Sequence, residues 1–187
     1  AMTEPVVNKI LEVLGDVVYG VDVESLEEVV KQLLEENGLT LATAESCTGG
    51  LLSARLTELP GISAVFNGGV CAYSNEVKMN VLSVPESMIV EYGAVSEPVV
   101  RSMSENVRRC LGADIGVAIS GVAGPVASEN KPVGTVCIAV SSKAGTEAYT
   151  YNLGRIQDRN RIRTLSVNRA LDLVRRHILR NKHAFIR

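Results

Sequence analysis

Short apolar stretches alternate with longer helical segments through most of this 187-residue chain. A strand followed by a segment of helical periodicity is the repeating pattern, and a Lys143-Ala144-Gly145 turn then separates two strands that form an antiparallel hairpin. This alternation predicts an α/β protein, a three-layer α/β/α sandwich with a mixed, mostly parallel sheet. The predicted strands are residues 39–43, 69–73, 115–119, 133–140 and 147–153.

The first 37 residues predict two helices with no strand between them. The second helix begins at the capping box Ser25-x-x-Glu28 and ends at Gly38. We expect residues 1–37 to form a helical connector and residues 38–187 to form the catalytic domain. Ser96 is expected to cap the helix that precedes the third strand.

Charge and composition exclude several classes of function. The net charge is −2, whereas a nucleic-acid-binding domain carries clustered basic residues. No apolar run approaches the ~20 residues that span a membrane. The four cysteines are scattered and the two histidines lie near the C-terminal end, so no metal site is expected. We expect a cytoplasmic protein with no cofactor, no metal, and no nucleic-acid or membrane partner.

Three loops rich in small and hydroxyl residues follow the predicted strands. They span residues 45–50, 73–78 and 120–125. In an open α/β sheet, ligands bind beyond the carboxyl ends of the strands, so these loops predict a ligand site. The first loop leads into a helix through Gly49 and Gly50, and its free backbone N–H groups suit an anion such as phosphate. It lacks the Gly-Lys-Ser/Thr sequence of nucleotide-hydrolase phosphate loops.

A lysine is the leading candidate for a general base. Both histidines lie far along the chain from the serine-rich loops, which disfavours a Ser-His-Asp triad. Lys78 follows a predicted strand end, and a lysine kept neutral by burial can activate a serine. Ser46 and Ser63 are both candidate nucleophiles, and their spacing does not choose between them. The Tyr73 hydroxyl is a candidate proton relay, and Cys47 is expected to be an inert, buried thiol.

Several motifs together resemble one known family. Over about residues 39–179, the chain is similar to the C-terminal domain of the competence-damage-inducible protein CinA, the family of nicotinamide mononucleotide deamidases. The matching segments are residues 43–50, 73–78, 93–97, 120–125 and 131–136, and Asp158-Arg159 with Arg163.

The resemblance implies hydrolysis of the carboxamide of nicotinamide mononucleotide to nicotinate mononucleotide and ammonia, for pyridine-nucleotide recycling. It implies a serine–lysine mechanism without a metal, with Ser63 as the nucleophile, Lys78 as the base and Tyr73 as the relay. It assigns substrate binding to residues of the three loops and to one arginine. These residues are Glu45, Ser46, Thr48, Gly49, Gly50, Ser120, Gly121, Gly124 and Arg159.

The sequence departs from the family pattern in two places. Residues 126–130 fill a loop that usually holds more glycine, and the run from Gly154 to Arg159 is stretched, so that Arg155 competes with Arg159 for its role. Full-length members carry a further N-terminal domain, so we expect this chain to be part of a longer protein and to form a homodimer. Two alternatives stay open: a non-catalytic nucleotide-binding or assembly module, and an amidase for another substrate.

Overall fold

Five strands and eight helices form an α/β fold in the computed structural model, which describes residues 3–155 and 158–185. None of the helices within these ranges is long and apolar enough to cross a membrane. In chain order the elements are α1 (Glu4–Leu14), α2 (Leu26–Asn37), β1 (Leu41–Glu45), α3 (Leu51–Thr57), β2 (Phe66–Cys71), α4 (Asn75–Asn80), α5 (Glu86–Tyr92), α6 (Glu97–Cys110), β3 (Ile115–Gly121), β4 (Thr135–Ser142), β5 (Gly145–Asn152), α7 (Arg159–Arg180) and α8 (Lys182–Phe185).

The sheet has the strand order β2-β1-β3-β4-β5. The strand β1 pairs in parallel with both β2 and β3, and all five of its residues are buried. The strands β3, β4 and β5 pair antiparallel, with β4 and β5 forming the predicted hairpin. The strand that follows β1 in sequence, β2, lies on one side of β1, and the next strand, β3, lies on the other side. Ligand sites of α/β proteins lie at such a switch point, beyond the carboxyl ends of the strands.

Helices cover both faces of the sheet. On β5, the Thr146 hydroxyl donates to Glu105 of α6, whereas the next residue, Glu147, contacts His177 of α7. Successive side chains of a strand point to opposite faces, so α6 and α7 lie on opposite sides of the sheet. The predicted three-layer arrangement with a mixed sheet is confirmed. Two of the four strand pairs are parallel and two are antiparallel, so the sheet is evenly mixed and not mostly parallel.

The predicted helix caps differ in their outcome. Ser25 caps α2 as expected, because its hydroxyl accepts the backbone N–H of Glu28 at 3.2 Å, and Gly38 ends the helix in a left-handed conformation. Ser96 occupies the N-cap position of α6 as predicted, but its side chain does not cap the helix. Its hydroxyl makes no cap bond to α6 and instead donates to the carbonyl of Gly93 at 2.8 Å, which fixes the segment before the helix.

The two N-terminal helices differ in their packing. In α2, Val30 and Leu34 are fully buried within the main hydrophobic core, and the helix packs against α7. In contrast, α1 has no buried residue. The division into a connector of residues 1–37 and a domain of residues 38–187 stays a prediction.

We expect Leu34→Ala to lower the free energy of unfolding by about 2–5 kcal/mol, because it leaves a cavity in the core between α2 and α7. The matched control is Leu14→Ala in α1, where the side chain is 49% exposed and the change should stay within about 0.5 kcal/mol. Urea unfolding of both variants measures the difference. Equal losses at the two positions would contradict this account of α2.

Candidate active site

The amino group of Lys78 is buried among three oxygen atoms. The side chain is only 1% exposed, and its Nζ donates to the carbonyls of Ala72 at 2.9 Å and Tyr73 at 3.3 Å. Its third contact is the hydroxyl of Ser46 at 3.1 Å. Lys78 lies on α4, which begins just after β2 and is capped by the Ser74 hydroxyl. The loops after β1 and β2 therefore meet at this amine.

Burial lowers the pKa of Lys78, because a charged amine loses hydration when it is enclosed. The negative charge of Glu129 opposes this effect but is the smaller of the two influences. The neutral amine, which is the form that accepts a proton, is therefore more populated near neutral pH than in a solvent-exposed lysine.

Ser46 lies directly after β1 at the carboxyl end of the sheet. Its backbone N–H donates to the carbonyl of Ile119 at 2.9 Å, so this residue is still tied to β3. Beyond it, Gly49 and Gly50 both have positive φ values, 58° and 94°, which turn the chain abruptly into α3. Ser46 itself is 9% exposed, and its hydroxyl faces the amine of Lys78.

The neighbouring Cys47 is a buried thiol, as expected. Burial raises the pKa of this thiol to about 12, so it is not ionised near neutral pH. Its sulfur lies close to the end of β3, where a Cβ placed on Gly121 would be 3.1 Å from Sγ. The thiol fills the junction between two loops and is a poor candidate for the nucleophile.

Glu45 occupies the position at which we expected an anionic ligand. Its carboxylate accepts the backbone N–H groups of Leu52 at 2.9 Å and Ser53 at 2.8 Å, and the Ser53 hydroxyl at 2.7 Å. These are the free donors of the first turn of α3, so the protein supplies its own anion there. Glu45 is 1% exposed. The expectation that this helix end receives a phosphate is corrected, and Glu45 faces α3 instead of the cavity.

Ser63 lies away from Lys78. It is exposed in a single helical turn, residues 62–64, that precedes β2, whereas Lys78 follows the same strand. Six strand residues separate the two ends by roughly 20 Å at about 3.3 Å per residue. The structure does not bring together the serine and lysine that the resemblance paired. Ser46, the other candidate, is in contact with Lys78.

A cavity of about 200 Å³ opens beside the Ser46–Lys78 pair. Six of the residues expected to form the site line it: Ser46, Tyr73, Lys78, Ser120, Gly121 and Arg159. The Ser120 hydroxyl donates to the carbonyl of Ala94 at 2.8 Å, so it fixes the segment before α6. The cavity lies at the carboxyl edge of β1, β2 and β3, where the three loops were expected to meet.

Arg159 joins two of these loops. Its guanidinium donates to the carbonyl of Gly124 at 2.6 Å and to the hydroxyl of Tyr73 at 3.1 Å. The Tyr73 hydroxyl therefore points to Arg159 and makes no hydrogen bond to Ser46 or Lys78. Arg155 is exposed and does not line the cavity, which distinguishes the two arginines. Ile156 and Gln157 of the stretched run lie outside the described residues.

Thr48, Gly49 and Gly50 shape the first loop without lining the cavity. Thr48 is fully buried, and its carbonyl accepts a hydrogen bond from Arg163 at 2.8 Å. Among the residues that the structure describes, its hydroxyl has no hydrogen-bond partner. Within the same ranges, the backbone N–H groups of Cys47 and Thr48 donate to no other residue.

Glu129 also lines the cavity, although it was not among the expected site residues. Its carboxylate accepts the backbone N–H groups of Ala94 and Val95, both at 3.1 Å. It lies in the loop that departs from the family pattern, after β3. The sequence places the loop near the correct edge of the sheet, but nothing local connects position 129 to a segment 35 residues earlier.

A second polar cluster lies at the opposite edge of the sheet and was not expected from the sequence. His177 Nε2 lies 2.8 Å from the Ser142 hydroxyl, and Nδ1 lies 2.5 Å from Glu147. Ser142 and His177 are both buried, and the Ser142 hydroxyl also accepts the N–H of Ala144 in the hairpin turn. This cluster fastens the hairpin to α7. In residues 3–155 and 158–185, no group of three His, Cys, Asp or Glu side chains is placed to hold a metal ion.

Comparison with known sequences identifies the family of this chain. The model of the CinA C-terminal domain matches residues 23–178. The chain belongs to the CinA C-terminal domain family. It is 48% identical over 180 residues to a CinA-like protein of Synechococcus sp. (strain CC9902), covering 96% of this chain and 43% of that protein. It is 49% identical over 177 residues to a CinA-like protein of Thermotoga neapolitana, covering 94% of this chain and 42% of that protein. The chain thus spans less than half the length of these curated relatives.

Solved CinA structures have the same fold. A CinA superfamily protein from Klebsiella pneumoniae superposes with a TM-score of 0.79 at 34% identity, covering 84% of this chain and 99% of the other. A competence/damage inducible protein from Agrobacterium tumefaciens gives a TM-score of 0.75 at 34% identity, covering 83% of this chain and 96% of the other. The family expected from the sequence motifs is confirmed.

The lowered pKa of Lys78 predicts a pH-dependent contribution to the stability of this CinA domain. In the unfolded chain a lysine titrates near 10.4, so between the lower folded pKa and that value the unfolded state binds more protons. Stability from this residue therefore increases as the pH rises through this window. We expect the free energy of unfolding of the wild type, relative to Lys78→Met, to increase from pH 7 to pH 10.

Urea unfolding at several pH values measures this difference. Lys143→Met is the matched control, since Lys143 is exposed in the hairpin turn and should show no comparable trend. A wild-type advantage that is constant or falls with pH would contradict the direction of the Lys78 shift.

Proposed function

We propose that this domain hydrolyses the carboxamide of nicotinamide mononucleotide to nicotinate mononucleotide and ammonia, with Ser46 as the nucleophile and Lys78 as the general base. The observation that carries the proposal is the 3.1 Å contact between Lys78 Nζ and Ser46 Oγ beside a cavity at the switch point of the sheet. A serine next to a lysine of lowered pKa is a known means of amide hydrolysis without histidine.

The first half of the reaction transfers the acyl group to the serine. Neutral Lys78 takes the Ser46 hydroxyl proton as Oγ attacks the carboxamide carbon, which forms a tetrahedral intermediate. The C–N bond then breaks, and the ammonium of Lys78 returns a proton to the departing ammonia. In the second half, Lys78 takes a proton from water as the water oxygen attacks the ester carbon. The ammonium of Lys78 then returns this proton to Ser46 Oγ as the C–O bond breaks, and the acid product loses its remaining proton to solvent as the carboxylate. No metal or cofactor is needed for these steps.

The intermediate carries a negative oxygen that needs hydrogen-bond donors. The N–H groups of Cys47 and Thr48 follow the nucleophile directly and have no acceptor among the other described residues. In many hydrolases the N–H after the nucleophile supplies this contact. We assign the oxyanion donor to the N–H of Cys47, because Cys47 lines the cavity whereas Thr48 does not.

Arg159 is the group that supports recognition of the nucleotide phosphate. It lines the cavity, and its orientation is fixed by Gly124 and Tyr73. The start of α3 is closed to the phosphate because Glu45 fills it. The role of Tyr73 in this proposal is therefore to position Arg159 and not to relay protons. Ser63 has no role in it.

A homodimer and a further N-terminal domain stay predictions. The curated relatives are more than twice as long as the matched segment. The exposed apolar side of α1, which includes Val6 and Val13, is compatible with either partner.

We expect Ser46→Ala and Lys78→Met each to lower kcat/KM for nicotinamide mononucleotide by at least about 1,000-fold, since each removes a group that acts in bond formation. Ser63→Ala is the matched serine control and should retain wild-type activity. Ammonia release and chromatographic detection of nicotinate mononucleotide are the measurements.

The outcomes separate the candidate functions. Loss of activity in Ser63→Ala, with activity kept in Ser46→Ala, would reverse the assignment. Binding of the mononucleotide without turnover by the wild type would support the non-catalytic module. Ammonia release from unrelated amides alone would support an amidase for another substrate.

We expect Arg159→Ala to raise KM for nicotinamide mononucleotide about tenfold and to leave KM for nicotinamide riboside, which lacks the phosphate, nearly unchanged. The control is Arg161→Ala, because Arg161 is an exposed arginine in the same first turn of α7. Equal effects of Arg159→Ala on both substrates would show that Arg159 does not contact the phosphate.

A further inference from the structure

Glu129 is held at the cavity by contacts that depend on its carboxylate. Its two oxygens accept the N–H groups of Ala94 and Val95, and Lys131 lies 3.6 Å from Oε2. The turn that carries Glu129 is closed by backbone bonds between Ser128 and Lys131, of 3.3 and 2.8 Å. The carboxylate is thus fixed in place while still lining the cavity beside Ser46 and Lys78.

The backbone around Glu129 is adapted to this carboxylate. Glu129 and Asn130 have φ values of 53° and 57°, a left-handed conformation that asparagine tolerates but that is unfavourable for glutamate. On the opposite side of the contact, a Cβ on Gly93 would lie 2.6 Å from Glu129 Oε2 and 3.0 Å from Lys131 Nζ. An unfavourable turn and a close approach by Gly93 both accompany the placement of this one charge.

Besides the amine of Lys78, the cavity is lined by one cationic and one anionic side chain at separate anchors. Arg159 is fixed to Gly124 and Tyr73, whereas Glu129 is fixed to Ala94 and Val95. Lys131 only partly offsets the charge of Glu129. It does not line the cavity, its distance to the carboxylate exceeds a hydrogen bond, and it also donates to the carbonyl of Tyr92. A ligand with an anionic end and a cationic ring matches this pair of charges.

We propose that Glu129 is a specificity-determining residue that selects carboxamides attached to a cationic, N-substituted pyridinium ring over the same carboxamides on a neutral ring. The inference rests on the proposed function and adds the basis on which the site recognises the ring. A fixed carboxylate in a partly enclosed cavity attracts the delocalised positive charge of a pyridinium, and it gives no such advantage to a neutral ring.

Oxidised and reduced nicotinamide mononucleotide form a matched pair of probes. Both carry the same phosphate, ribose and carboxamide, but the ring is cationic in the oxidised form and neutral in the reduced form. Because the two amides differ in intrinsic reactivity, the comparison uses equilibrium binding to the Ser46→Ala protein by calorimetry. In this background we expect the oxidised form to bind about tenfold more tightly than the reduced form.

Glu129→Gln keeps the size of the side chain and an oxygen acceptor for one N–H, but it removes the charge. When it is combined with Ser46→Ala, Glu129→Gln should reduce the tenfold preference for the oxidised form to about twofold or less, mainly by weakening the binding of the oxidised form. Glu129→Asp should retain a preference for the cationic ring. Glu86→Gln, an exposed glutamate at the start of α5, is the matched control and should leave the preference at tenfold.

The inference is overturned if Glu129→Gln leaves the tenfold preference for the oxidised form unchanged. It is also overturned if Glu129→Gln weakens the binding of both forms equally, which is the result expected if Glu129 only stabilises the turn. It is also overturned if the Ser46→Ala protein binds both forms with equal affinity. These outcomes are distinct from failure of the proposed function, in which the wild type releases no ammonia from the oxidised form and the Ser46→Ala protein binds neither nucleotide.

Discussion

The site is organised around the enclosure of one amine, that of Lys78. Enclosing an amine that can be charged is unfavourable unless polar groups surround it, and here the carbonyls of Ala72 and Tyr73 and the hydroxyl of Ser46 do so. This arrangement depends on the sheet. Glu45 and Cys71 are the last residues of β1 and β2 and are register partners, so the two loops that follow begin side by side. The same burial that is unfavourable for the charged amine favours its neutral form, which is the form needed in a base.

The sequence was sufficient to predict the mixed sheet and the edge at which the three loops meet, because both depend on short-range patterns. Apolar stretches and turn residues predict the strands, and the position of Lys78 after a predicted strand end places it at this edge. The order of elements along the chain also bears on the two candidate serines. A residue before a strand and a residue after it lie at opposite ends, which separates Ser63 from Lys78. The nucleophile that the family resemblance implies, Ser63, therefore lies at the end of β2 opposite to Lys78.

Other features depend on contacts that no local pattern specifies. The sequence at Gly49 and Gly50 is equally compatible with a helix N-terminus that binds a ligand and with one that binds a carboxylate of the protein. The fold shows that the Glu45 carboxylate accepts the free N–H groups there. The contact of His177 with Ser142 arises because α7 crosses the sheet and brings residues 35 positions apart together. Ser96 has the residue type of a helix cap, but the nearby carbonyl of Gly93 competes for its hydroxyl. In each case the side chain had several chemically suitable partners, and tertiary packing selected one.

Glu45 and Glu129 make the same kind of contact, yet they differ in what remains available to a ligand. Each carboxylate accepts two backbone N–H groups at the carboxyl edge of the sheet. Glu45 is 1% exposed and also accepts a hydrogen bond from the Ser53 hydroxyl. Its carboxylate is therefore fully engaged in contacts with the first turn of α3. The Glu129 side chain is 31% exposed and faces the cavity, so part of its charge can act on a bound molecule. Exposure to the cavity therefore distinguishes Glu45, which stabilises the start of α3, from Glu129, whose carboxylate is accessible to a bound ligand.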